Sequence, residues 1–324
     1  MAVRLHRVFP DRGPLCKRVP PRRITHRTSE FFWSLDIQTL KQWAIPAVKS
    51  RLGSTKCSVW FSHPNSERRR SAMNSLFLWF HKFGSPPYFY RVAGLWLPWL
   101  YALAFITGAI GLYGGLVMAP ADYQQGDSFR IIYIHVPCAW MSLFAYLFMA
   151  ANGFVALVWR IKLSETLAMA AAPIGAAFTF VTLVTGSIWG KPTWGTWWTW
   201  DARLTSELVL LFLYFGVIGL YHAIEDTRQA ARAAAFLALV GVVNLPIVHY
   251  SVVWWNTLHQ SQTVSFTGQS KISASMLWPL LVLAFATHVY FFASLLARAR
   301  VALLSLESGK EWVRALLTPE PAHG

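Results

Sequence analysis

From position 95 onward the chain alternates long apolar runs with short polar breaks. Six of these runs match the roughly 20 residues that a helix needs to cross a ~30 Å hydrocarbon core. They lie near 95–118, 137–159, 166–188, 207–223, 233–250 and 276–297. The linkers alternate in character. Those after the second and fourth runs are short and basic, with Arg160 and Lys162, then Arg228 and Arg232. Those after the first, third and fifth are longer and hold aromatic and histidine residues. The pattern predicts an all-α integral membrane protein with six transmembrane helices and irregular outer loops.

Residues 1–72 break this pattern. They are interrupted by Pro10, Pro14, Pro20 and Pro21, and their apolar clusters are too short to span. No hydrophobic stretch with a small-residue cleavage site is present, so the segment is not a secretory signal. Its acidic residues Asp11, Glu30, Asp36 and Glu67 argue against a transit peptide. The expectation is a basic extension, disordered or spurious, with translation starting at Met73. A membrane domain over 73–300 and a cytoplasmic tail over 301–324 follow.

Composition agrees with the hydropathy pattern. Of 324 residues 55% are hydrophobic and 13% charged, with a mean hydropathy of +0.39. Soluble domains carry about 25% charged residues. The formal charge of +15 is concentrated in residues 1–72, which contribute +11, and it carries no nucleic-acid inference. The three cysteines, Cys16, Cys57 and Cys138, are far apart, which excludes a disulfide framework, a zinc knuckle and a covalent haem-attachment motif. From Met73 on, ten Lys and Arg fall at the amino end, the short linkers and the tail, against four in the long linkers. The positive-inside rule then places both termini in the cytoplasm and the long loops outside.

One of those loops is unusual. WGKPTWGTWWTWDARLTSE, residues 189–207, holds Trp189, Trp194, Trp197, Trp198 and Trp200 among Gly190, Pro192 and Gly195. Gly and Pro break regular structure, so the stretch reads as a shaped loop. Single tryptophans belong to interfacial belts. Five together offer a flat surface for a large, planar, apolar guest.

Five histidines lie in the membrane domain outside its amino end and tail: His135, His222, His249, His259 and His288. His135 and His259 flank outer loops, and two imidazoles on opposite sides of a plane can ligate haem iron. Hydrogen bonding at the interface is the plainer role for each. His249 is a third ligand candidate, and His222 and His288 read as packing residues. Arg130 and Arg203 can grip carboxylates in a bidentate fork, or simply pair with Asp127 and with Asp201 or Glu207. Asp201 and Glu207 lack an accompanying nucleophile or metal cluster, so no catalytic site is indicated. Cys138 reads as a packing residue.

WGKPTWGTWWTWDARLTSELVLLFLY resembles the WWD domain of haem-handling proteins. With APADYQQGDSFRIIYIHVP, APIGAAFTFVTLVTGSIWG and GVVNLPIVHYSVVWWNTLHQ, the chain over about 74–300 resembles the haem exporter protein C family (CcmC). The resemblance implies a haem-transfer factor of the bacterial inner membrane rather than an enzyme, handing haem b to the periplasmic chaperone CcmE beside CcmD, CcmA and CcmB. It makes His135 and His259 the axial ligands, the five tryptophans and Asp201 the haem platform, and Arg130 and Arg203 the propionate partners. A transmembrane haem transporter and a scaffold subunit are the alternatives. Residues 1–72 have no counterpart in that family, and Gln260 and Ser261 stand where it usually has Gly.

Overall fold

A computed structural model describes residues 84–259 and 272–318. The expectations for residues 1–72, Met73, Gln260 and Ser261 lie outside the described residues. Among the described residues eight α-helices follow in order: α1 (Pro86–Tyr113), α2 (Ile132–Trp159), α3 (Lys162–Trp194), α4 (Ala202–Ala223), α5 (Thr227–Gly241), α6 (Asn244–Trp254), α7 (Ala274–Leu306) and α8 (Glu311–Leu317). A π-helical turn (Gly114–Met118) extends α1, and a 3-10 turn (Asp127–Ile131) leads into α2. There is no β-strand among the described residues, only an isolated bridge between Asp122 and Gly126.

The six expected spans correspond to six helical stretches long and apolar enough to cross a membrane: Pro86–Met118, Asp127–Trp159, Lys162–Trp194, Ala202–Ala223, Thr227–Trp254 and Ala274–Leu306. Most run further than hydropathy indicated, because a helix continues past its apolar segment for as long as its backbone bonds are made. The fifth span differs more. It breaks at Val242 and Val243 into α5 and α6. Pro246 has no N–H to donate to the Val242 carbonyl, so the chain takes tighter bonds there, Val242 N–H to Leu239 and Val243 N–H to Val240.

Within the bundle α2 packs on α3, α1 on α7, and α4 on α5 and α6, with α2 also touching α5 and α7. Small residues set these distances. Gly153 faces Ala235, Gly175 faces the Tyr214 ring and Gly241 faces the Tyr146 hydroxyl. In lipid, packing of this kind carries helix association, because the surrounding solvent is itself apolar. Outward-facing side chains such as Trp99, Phe105, Phe212 and Phe236 are correspondingly exposed and apolar. A second apolar cluster of Phe129, Tyr133, Trp189, Met276, Leu280 and Leu283 closes one end of the bundle and seats the first turn of α2. The Tyr133 hydroxyl donates to the Met276 carbonyl at 3.2 Å.

Cys138 is a buried free thiol in the main core. His288 donates from Nδ1 to the Ala284 carbonyl at 2.6 Å and packs against Phe144. His222 sits exposed in the last turn of α4, edge-on to Tyr221.

Candidate functional site

Helical spacing assembles a pocket at the end of the bundle closed by the second cluster. On α2, His135 and Ala139 line it four residues apart on one face, and Ser142, further along that face, bonds the lining residue Glu207. On α3, Thr182, Gly186, Trp189 and Thr193 line it at helical spacing. Arg203 and Glu207 come from the start of α4. Gln125, Trp194, Trp198 and His259 are among the other residues that line this cavity of about 70 Å³.

His135 is 8% exposed, inside the first turns of α2 and not on a loop as the position of Pro137 suggested. The 3-10 turn from Asp127 starts the helix early, so Pro137 lies inside α2 and leaves the Tyr133 carbonyl without its helical donor. The His135 Nδ1 lies 3.0 Å from Thr185 Oγ1. That hydroxyl donates its own proton to the Val181 carbonyl at 2.7 Å. With that proton on the carbonyl, the oxygen can accept from Nδ1–H, and this tautomer would leave the Nε2 lone pair of His135 for a ligand. Metal-binding imidazoles are commonly oriented by a hydrogen bond of this kind. An added Cβ on Gly186 would stand 3.0 Å from the His135 ring, so only glycine leaves the imidazole room there without displacement.

His259 stands across the pocket, with 6.4 Å between the two imidazole centres and 33° between their planes. Imidazole nitrogen binds first-row metals at about 2.0–2.1 Å, and two such bonds, each continued by half a ring, separate ring centres by roughly 6 Å. The spacing suits one metal ion between the two rings. Trp194 flanks His259 at 6.1 Å and Trp189 meets His135 edge-on at 5.7 Å.

The tryptophans do not form one flat surface. Trp189 and Trp194 belong to α3, which continues through Gly190 and Pro192. Pro192 falls in the last turn, where its missing N–H removes one bond, and the Thr193 hydroxyl bonds the Trp189 carbonyl at 2.7 Å. The helix stops at Gly195, whose φ of 78° forms a left-handed cap, with its N–H bonded to Lys191. The loop then folds back, its Trp197 carbonyl accepting from Ser187 Oγ at 2.7 Å. Trp198 lines the pocket, whereas Trp197 and Trp200 are 56% and 78% exposed and are not part of its lining. Trp189 Nε1 donates to Gln125 Oε1 at 2.7 Å. Trp198 Nε1 is buried with no partner in the protein, a donor left for something else.

Asp201 is not a wall of the pocket but the N-cap of α4, its Oδ1 accepting from Leu204 N–H at 2.8 Å. Asp201→Ala should cost about 1 kcal/mol and Asp201→Asn much less. Thermal denaturation followed by circular dichroism checks this; equal melting points for the two variants would refute it. Arg203 makes no ion pair with Asp201 or Glu207; its Nη1 donates to the Val248 carbonyl at 3.2 Å while the side chain lines the pocket. Glu207 accepts from Ser142 Oγ at 2.7 Å. Arg130 does pair with Asp127, at 2.9 Å, and also donates to the Gly115 carbonyl at 3.1 Å, outside the pocket lining. His249 is exposed on α6, edge-on to Tyr250, and does not line the pocket.

Sequence reasoning missed Thr185, Gly186, Gln125 and Ser142. Each acts on a residue 50 or more positions away or across a helix interface.

The family model described as Heme exporter protein C matches residues 79–314. Heme exporter protein C of Escherichia coli K12 is 51% identical over 237 residues, 73% of this chain and 96% of that protein. The protein of the same name from Bradyrhizobium diazoefficiens is 50% identical over 220 residues, 68% of this chain and 83% of its own. A ccmC-like mitochondrial protein of Marchantia polymorpha, assigned by its name to cytochrome c biosynthesis, is 45% identical over 191 residues, 58% of this chain and 80% of its own. With a match across most of its length and all six membrane-spanning stretches inside it, the chain belongs to the haem exporter protein C family.

Proposed function

We propose that this chain holds haem b at the periplasmic face of the bacterial inner membrane and passes it to the chaperone CcmE during maturation of c-type cytochromes. The observation that carries the reading is the pair of imidazoles 6.4 Å apart beside a tryptophan-lined pocket. Haem is the cargo, and its iron takes axial nitrogen from both sides of the porphyrin plane. His135 and His259 supply those nitrogens and leave no iron position open to small ligands. Trp189, Trp194 and Trp198 cover the macrocycle. Arg203 is the nearer propionate partner, and the orphaned Trp198 N–H a second donor. Arg130 serves the other propionate once it exchanges Asp127 for it.

The cavity of about 70 Å³ is smaller than the roughly 150 Å³ that holds one benzene ring. A porphyrin therefore requires the 196–200 loop to draw away from α3 while His135 and His259 keep their spacing, and most of the macrocycle stays outside the bundle. A guest held by its iron and left open at its rim suits a transfer factor better than an enzyme or a channel. CcmD and the ABC-type subunits CcmA and CcmB are the expected assembly partners.

The experiment is complementation of a bacterium lacking its own haem exporter protein C, read as covalent haem on CcmE and as c-type cytochrome yield. Restoration by wild type but not by the His135→Ala or His259→Ala variant is expected. Failure of wild type to load CcmE while the protein is present in the membrane would overturn the transfer role. Within the site, Thr185→Val should weaken haem binding roughly 10–100-fold, as loss of an orienting partner does at other metal centres. Thr185→Ser should restore it. Haem titration of the purified variants reads this directly, and an unchanged affinity in Thr185→Val would contradict the assigned tautomer.

A further inference from the structure

The opposite end of the bundle carries a second recess that the haem-handling reading does not use. The 28 residues of α2 separate it from the His135 end by about 1.5 Å per residue. Arg160 at the end of α2, Lys162 at the start of α3, and Arg228 and Arg232 on α5 surround a cavity of about 190 Å³. Glu165 is the one carboxylate in the lining. Lys162 leans toward Glu307 at 3.8 Å, and none of the three arginines makes a salt bridge among the described residues. Arg228 and Arg232 are four residues apart on one helix face and repel, and the single Glu165 carboxylate facing them and Lys162 offsets only part of the rim's positive charge.

Two further features point the same way. The first turn of α3 begins at the recess, and its N-cap Ile161 provides no side-chain bond, so its leading N–H groups face outward uncapped. Arg160 adopts a left-handed backbone conformation, φ 56°, that residues other than glycine usually avoid, and this turn brings its side chain to the rim. The inner wall is apolar, formed by Ala156, Leu157, Ala231 and Ala235. A cationic rim above an apolar wall, at the end of a membrane bundle, matches a phosphodiester attached to acyl chains.

We propose that this recess binds the headgroup phosphate of an anionic phospholipid, with its chains lying along Ala156, Leu157 and Ala235. Free phosphate shares the charge chemistry but makes no use of the apolar wall. Basic pockets between membrane helices commonly hold anionic headgroups. The site is distant from the haem pocket, so its failure would leave the proposed function untouched.

The test is native mass spectrometry of the full chain in detergent, with phosphatidylglycerol, phosphatidylcholine or inorganic phosphate added. Wild type should retain phosphatidylglycerol in preference to phosphatidylcholine, and excess inorganic phosphate should not displace it. The R228Q/R232Q variant should lose affinity by roughly fivefold for each arginine removed. R228K/R232K should keep most of it, and R91Q, which alters a cation outside the recess, should match wild type. Equal retention of phosphatidylglycerol by R228Q/R232Q, or equal binding of phosphatidylcholine, would overturn the proposal. Displacement by inorganic phosphate would also overturn it, in favour of a soluble phosphate ligand.

Discussion

Alanine at position 135 should empty the pocket of haem while leaving the bundle folded. The loss should exceed the roughly 10–100-fold that follows removal of an orienting partner, because here the ligand atom itself is gone. The fold should tolerate the change, since Thr185 keeps its bond to the Val181 carbonyl. His259→Ala should be milder. His259 is half-buried against Trp194 and lacks the enclosure that α2 and α3 give His135. Its loss should leave haem bound with one axial site open, as a five-coordinate, high-spin species. Equilibrium haem titration with absorption detection reads both variants. Equal affinity of His135→Ala and wild type, in protein that elutes at the same volume, would remove His135 from the site.

The largest structural effect is expected from Gly175→Val. A Cβ at that position would overlap the Tyr214 hydroxyl and ring. Tyr214 is fully buried, its hydroxyl donates to the Ser142 carbonyl at 2.8 Å, and its ring meets Tyr146 edge-on at 5.0 Å. The ring has no free direction to swing, so α3 and α4 must separate. Overpacking of this kind costs about 1–3 kcal/mol or more. Because Ser142 also holds Glu207, the strain reaches the pocket floor directly. The folded fraction after detergent extraction should fall sharply, with Gly175→Ala intermediate. Wild-type yield and melting point in Gly175→Val would show that the helices are not in contact at this position.

The six spans were legible in the sequence because lipid imposes a simple rule, apolar residues over a fixed length. The break at Val242 and Val243 was not, since its cause, Pro246, lies past the break and tells a reader only that one bond is missing. Reading 189–207 as a loop over-weighted Gly190 and Pro192. Near a helix end these residues cost little, and Gly195, the residue that does end α3, looks no different in sequence. His135 and His259 were found through their place beside the tryptophan stretch, and the structure brings both rings to one cavity. It divides the tryptophans, three in the pocket lining and two exposed, which composition cannot do. Whether Arg130 and Arg203 pair locally was open from spacing alone. Arg130 does so with Asp127, and Arg203 is drawn instead to the Val248 carbonyl 45 positions on. Thr185 and Gly186 had no sequence signal of their own, because their importance depends on α2 lying against α3.

The central claim is that one haem iron sits between His135 and His259. The direct measurement is the absorption and electron paramagnetic resonance spectrum of purified wild-type protein with bound haem. A six-coordinate, low-spin bis-imidazole spectrum, changed by each of the two alanine substitutions, is the predicted result. A high-spin wild-type spectrum, or a low-spin one that neither substitution alters, would contradict it and turn attention to His249.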